Sequence, residues 1–235
     1  MEDAVLYPPC AARFLMERAQ KSGATLHLGR PVVEAGQGRV RMTNGSEISA
    51  GIIVNAVGAG AGNLTPGVEI KKRKGHLVIT DRYAGFLRHQ LVELGYLKSA
   101  HSISSDSVAF NVQPRRTGQI LIGSSRQYGA DYSEVDSGIL AQMLQRSCEY
   151  MPGLAQMSAI RTWTGFRAAT PDKLPLIGPW PGDDSLFLAT GHEGLGITTS
   201  LATARILVDQ ITGTKPEIAI EPYLPSRVAK EHAHV

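Results

Sequence analysis

Three glycines, Gly191, Gly194 and Gly196, stand between a short apolar run, SLFLAT (185–190), and a helical pattern, ITTSLATARILVDQITG. Glycine has no Cβ, so a planar or bulky ligand can approach the main chain there. A helix beginning near Ile197 presents N–H groups without intrahelical partners and the positive end of its dipole. Bare backbone and helix start together suit an anion or a developing negative charge. The same glycines also suit a tight turn that binds nothing, and spacing alone does not separate the two readings.

A second glycine run, NAVGAGAGN (55–63), raises the same question. Gly58, Gly60 and Gly62 nearly spell the dinucleotide-binding fingerprint, but Asn63 occupies the place of its last glycine. Pro66 and Gly67 leave no room for the long helix that a phosphate-binding βαβ unit needs. The run is rejected as a primary dinucleotide motif and kept as a secondary backbone contact. The third candidate is Arg167, in AIRTWTGFRAAT. Strand alternation puts Arg161, Trp163, Gly165 and Arg167 on one face. An aromatic wall and an open space beside a guanidinium suit a bidentate carboxylate clamp; a surface salt bridge is the plainer alternative. His192 either touches a ligand or caps its turn. Arg126, in GSSRQYG, either points toward a site or lies on the surface. His232 and His234 in the tail either bind metal adventitiously or are disordered, and no metal site is expected.

These residues need elements to position them. PCAARFLMERAQKSG reads as a helix with Pro9 in its first turn, Gly23 at its C-cap and Ala12, Leu15, Met16 and Ala19 on one face. ATLHLG and PVVEAG read as short strands. RVRMTNGSEISAG reads as a hairpin turning at Asn44-Gly45. Ile52 to Val54 reads as a buried strand. In the middle, GHLVIT (75–80), SVAFNVQPR (107–115) and GQILIGSSRQ (118–127) read as an antiparallel sheet, the last two joined at Arg116-Thr117. SGILAQMLQRSCEYM reads as a covering helix with Ile139, Met143, Cys148 and Met151 inward, ended by Pro152-Gly153. After the strand from 158, the chain crosses back through Pro171, Pro175, Pro179 and Pro181 to SLFLAT. The last helix is expected to face inward through Ile197, Leu201, Ala204, Val208 and Ile211 and to stop near Gly213. The tail has no periodicity. The fold class is therefore mixed α/β: a layered domain interrupted by an antiparallel β-sheet, with boundaries at 1–70, 71–165 and 166–235.

Bulk composition narrows the function classes. The chain has 235 residues, 43% hydrophobic and 19% charged, with a net charge of +3. That is ordinary for a globular protein and too weakly basic for nucleic acid or an anionic membrane. The run Lys71 to Lys74 has no interleaved aromatics and reads as a solvated turn or strand end. Cys10 and Cys148 are far apart, in no metal or disulfide pattern, so a reducing cytoplasm is the default compartment. The N-terminus carries acids where a signal peptide needs bases, and no window approaches a membrane span.

TWTGFRAATPDKLPLIGP followed by LFLATGHEGLGITTSLATARILVDQITG resembles the C-terminal third of the FAD-dependent D-amino acid oxidase superfamily. The likeness is to its glycine oxidase, sarcosine oxidase and D-amino acid dehydrogenase branch. GATLHLGRPVVEAG and GIIVNAVGAGAG resemble that branch's later FAD-domain strands. The resemblance implies FAD as cofactor, with Gly191, His192, Glu193, Gly194, Leu195, Gly196, Ile197 and Thr198 along the flavin pyrimidine edge. It implies main-chain contact to adenine at Val32, and Ala56, Val57 and Gly58 along the dinucleotide portion. Arg167 would bind the substrate carboxylate, and the segment from 71 to about 165 would form the wall over the flavin. His76 falls on a strand that the family places near flavin. The implied reaction is oxidation of an amino acid or amine C–N bond by hydride transfer to flavin.

Three departures qualify the resemblance. The GxGxxG βαβ unit that holds the FAD pyrophosphate is not in this sequence, so a partner chain or a further segment is expected to supply it. Without it the chain would hold FAD weakly or not at all. Phe110-Asn111 stands where the glycine oxidase pattern has a tyrosine. Glu193 stands where some relatives carry a base. The last two turn the substrate toward a cationic or secondary amine such as a proline derivative, with Asn111 and Arg126 as further site candidates. Two alternatives stay open: a truncated homologue without cofactor, and a 2-hydroxy-acid dehydrogenase on the same scaffold. Uncovered sheet edges and helix faces imply self-association or a partner.

Overall fold

The structure, a computed structural model, describes residues 5–95 and 106–228. His232 and His234 lie outside the described residues. The chain divides into two compact units, one of Lys72–Phe166 and one of Leu6–Lys71 with the chain from Arg167 onward.

The first unit is built on a five-stranded sheet. Its strands are β5 (Lys71–Arg82), β6 (Leu91–Val92), β7 (Ser107–Pro114), β8 (Gln119–Arg126) and β9 (Ala159–Ala169), in the order β6-β7-β8-β5-β9. The pairs β6–β7, β7–β8 and β8–β5 are antiparallel. The expected turn joins β7 to β8, closed by the Gly118 amide donating to the Arg115 carbonyl at 2.9 Å. Helix α3 (Ser137–Tyr150) covers the sheet, with Met143 fully buried against Val78, Phe110, Val112, Ile120 and Ile122. Each such side chain contributes roughly 1.5–3 kcal/mol on burial. Asp136 caps α3, its carboxylate accepting from the Gly138 and Ile139 amides at 2.9 and 3.0 Å.

The basic run is not solvated throughout. β5 begins at Lys71, and Arg73 and Lys74 are buried within it at 5% and 0% exposure. Aromatics distant in sequence make this possible: the Arg73 guanidinium stacks on Tyr128, and the Lys74 ammonium lies 3.7 Å from the Tyr132 ring centre. Neither tyrosine neighbours the run in sequence, so the run itself carries no sign of them.

The second unit holds two three-stranded sheets. One is the meander β1 (Val32–Gly36), β2 (Arg39–Met42) and β3 (Glu47–Ser49). The other has the order β10-β11-β4, from β4 (Ile53–Asn55), β10 (Leu176–Trp180) and β11 (Asp183–Thr190). β11 runs parallel to β4 and antiparallel to β10. The Gln37 and Gly38 amides donate to the side chains of Asp183 and Ser185, fastening the meander to β11. Helix α4 (Gly196–Thr212) packs on β10 through Ile206 and Leu207, which meet Ile177 and Phe187.

Several expectations are corrected. Residues 24–29 form no strand, because the alternating pattern finds no neighbour to ladder with in the described sheets. β10 was hidden by Pro179; it is an edge strand, where a missing N–H is tolerated. β4 is not buried on both faces, since Val54 is 41% exposed between buried Ile53 and Asn55. Helix α1 (Pro8–Lys21) buries no residue, and Leu15 and Met16 are exposed. α4 is turned over: Leu201 is 70% exposed and Ile197, Ala204, Val208 and Ile211 also face out. Thr203, Ile206, Leu207 and Asp209 are its buried residues. The helix is apolar on two sides, so its moment alone could not choose between them.

Candidate functional site

Both glycine turns leave the C-terminal ends of adjacent strands. Leu188 of β11 pairs with Asn55 of parallel β4, so the chain turns at Ala56–Gly58 and at Gly191–Leu195 side by side. The C-terminal edge of parallel strands is where open α/β sheets bind ligands. Thr190 joins the turns, its hydroxyl donating to the Gly58 carbonyl at 2.9 Å.

Asn55 holds the first turn in shape. It is 3% exposed and donates to the Ala61 carbonyl and the Thr65 hydroxyl at 3.0 and 2.9 Å. The short helix α2 (Ala61–Leu64) follows, so no long helix grows from this run. Gly58 has φ +64°, and a Cβ there would meet nothing within 4 Å. Ala56 and Val57 are exposed beside it. Val32 begins β1, opposite Met42, in the meander that packs against α2.

The second turn is pinned to the end of β9. His192 bridges Ala169, and the Glu193 amide donates to the Ala168 carbonyl at 2.7 Å. Gly191 has φ +84°, and a Cβ there would lie 2.6 Å from Thr170 Cγ2. Glu193 is also left-handed, at φ +49°. His192 Nε2 lies 2.8 Å from Thr203 Oγ1, so the ring ties the turn to α4. Burial of that ring pushes its pKa below the usual histidine value. Gly194 and Leu195 are exposed.

α4 starts without a side-chain cap at Leu195 and without an acid in its first turn. Thr199 is the first residue whose amide returns to the Leu195 carbonyl. The amides of Gly196, Ile197 and Thr198 precede it, in the first turn, where a helix leaves its N–H groups without intrahelical partners. Leu195 and Ile197, 65% and 55% exposed, flank it with apolar surface. The arrangement can hold a flat group with one anionic edge.

Arg167 is half-buried near the end of β9, two residues beyond Gly165, where a Cβ would meet nothing within 4 Å. Arg161 lies over the Trp163 ring on the same strand. Asn111 lies in β7 and Arg126 in β8, both within the unit of Lys72–Phe166. Asn111 sits opposite Gly123 and accepts from Gln90 at 3.2 Å. Arg126 is 7% exposed at the end of β8. His76, in β5, is 1% exposed and bonds to Ser125 and Asp136.

Asn55, Thr190 and Thr203 escaped the reading of the sequence. One signal was present, a lone polar Asn inside the apolar run IIVNAV; Thr190 and Thr203 have nothing local to mark them.

Residues 1–210 match the family model described as "FAD dependent oxidoreductase". The chain belongs to this FAD-dependent oxidoreductase family. Glycine oxidase of Pseudomonas aeruginosa is 32% identical over 78% of this chain and 48% of its own length. Hydrogen cyanide synthase subunit HcnC of the same species is 31% identical over 94% of this chain and 52% of its own. Among solved structures, glycine oxidase from Geobacillus kaustophilus superposes with a TM-score of 0.76 at 23% identity, over 95% of this chain and 58% of that one. L-proline dehydrogenase from P. horikoshii gives 0.77 at 24%, over 92% and 58%. These two establish the shared mixed α/β fold. The chain spans about half the length of the curated relatives it matches. FAD is the cofactor the family implies, and the uncapped, acid-free start of α4 beside two left-handed glycine turns fits its flavin end. Among the described residues no helix is long and apolar enough to cross a membrane.

Proposed function

We propose that this chain carries the flavin-edge site of an FAD-dependent oxidoreductase acting on an amino acid or secondary amine. The observation that carries the reading is the uncapped start of α4 beside the joined glycine turns. Bound flavin would supply the electron acceptor for the C–N bond. The amides of Gly196, Ile197 and Thr198 would stabilise negative charge on its pyrimidine edge, and Leu195 and Ile197 would exclude water there. Ala56 to Gly58, and Val32 at the meander, would lie along the rest of the dinucleotide. Arg167 would hold the substrate carboxylate in a bidentate pair. A neutral amine needs no strong protein base for this oxidation, and none is assigned. Asn111 and Arg126 would contribute to substrate choice.

The dinucleotide-binding unit belongs in this reading to a further segment or a partner chain. β4 is an edge strand, and Ile197, Leu201 and Val208 form an exposed apolar ridge on α4. Both are surfaces that a further α/β layer would cover. One relative is by name a subunit of a larger enzyme. The free thiols Cys10 and Cys148 fit a reducing cytoplasm.

The test is anaerobic bleaching of flavin absorbance in the protein isolated from its own cells with whatever it carries. An α-amino acid or secondary amine should bleach it, and Arg167→Gln should raise the amine's KM about tenfold or more. A preparation without flavin, or bleaching by 2-hydroxy acids alone, would overturn the proposal.

A further inference from the structure

His76 is a buried titratable group that the proposed chemistry does not use. It sits in β5, 1% exposed, with both ring nitrogens engaged. The backbone amide of Asp136 donates to Nε2 at 3.0 Å, and Ser125 Oγ lies 2.9 Å from Nδ1. An acceptor at Nε2 requires the neutral ring, with its proton on Nδ1 pointing at Ser125. The His76 main chain also donates to Ser125 Oγ, at 2.8 Å, so side chain and backbone converge on one hydroxyl.

Asp136 is the N-cap of α3. One carboxylate oxygen takes the Gly138 and Ile139 amides, and the other accepts from Gln127 Nε2 at 3.0 Å. Gln127 is in turn bridged to Lys74 by two main-chain bonds, at 3.1 and 2.9 Å. A neutral imidazole therefore joins β5 and β8 to the first turn of the covering helix.

We propose that His76 is a proton-operated latch: when it protonates, α3 loses its N-terminal anchor to the sheet. The imidazolium has a proton on both nitrogens, so Nε2 can no longer accept from the Asp136 amide. It would instead seek the Asp136 carboxylate, which would have to give up the Gly138 and Ile139 amides. The charged groups facing the ring oppose one another. Lys74, on the same strand and over Tyr132, disfavours protonation; Asp136, at the start of α3, favours it. Burial is the largest influence, and the balance lies below the ordinary histidine value. The sign follows: the latch is fully closed above the unfolded histidine pKa and opens as pH falls below it, through the folded value.

Hydrogen exchange of the whole chain, corrected for the intrinsic pH dependence, tests this. Peptides covering the start of α3 should lose protection at least tenfold between about pH 7.5 and about pH 5, a window set by histidine. His76→Gln offers an acceptor and a donor with no proton to gain, and should abolish that loss. Lys74→Met should move the opening to higher pH. Equal loss in wild type and His76→Gln would overturn the latch. Should the glutamine variant not fold, nitrogen-15 spectra of the wild-type histidines decide instead: a neutral Nδ1–H ring at pH near 7.5 supports it, and an Nε2–H ring overturns it.

Discussion

Asn55 donates both amide hydrogens inside the protein, to Ala61 and Thr65, while accepting from Val57 at 3.4 Å. Asn55→Ala would strand buried acceptors and should cost about 1–3 kcal/mol in urea unfolding. The two left-handed glycines should differ. Gly58→Ala meets only the backbone strain of its φ, roughly 1–2 kcal/mol. Gly191→Ala meets that strain and the Thr170 methyl at 2.6 Å, and should be the more damaging in the same assay. The glycines themselves were legible in the sequence, because glycine adopts a positive φ most readily. Their anchors were not: Thr190 reaches Gly58 across 132 residues, and no local pattern encodes such a contact.

At the scale of elements, the last described segment is strapped down by charge. Arg227 donates to Asp172 at 2.7 Å and to the Leu174 carbonyl. The hydrogen bond from Arg227 is the largest influence holding the Asp172 carboxyl below its ordinary aspartate value. The strap's contribution is therefore complete above that value and fades as pH falls below it. Asp172→Asn should flatten the acid limb of the stability profile, measured by thermal melts across pH. Element types were mostly readable from the period of apolar residues, as in α3 and β9. Which face of a helix turns inward was not. α4 carries Ile197, Leu201 and Val208 on one side and Ile206 and Leu207 on the other, and tertiary packing chose the second. The outward ridge has a consequence for assembly. Leu201→Glu should leave melting unchanged within about 0.5 kcal/mol, as surface changes do. It should also weaken association, with itself or a partner, in sedimentation experiments.

For the molecule as a whole, the proposed function requires the first amides of α4 to receive the anionic edge of a flavin. Leu195 is exposed at the N-cap position and its side chain caps nothing. Leu195→Asp would place a carboxylate on those amides, adding about 1 kcal/mol of helix stability as a good N-cap does. The same carboxylate would occupy the site electrostatically. The decisive measurement is a fluorescence-quenching titration of FAD with the wild-type chain and with this variant. The account predicts weak, saturable binding by wild type, and at least tenfold weaker binding by a variant that melts at higher temperature. Equal affinity in the two proteins would contradict it.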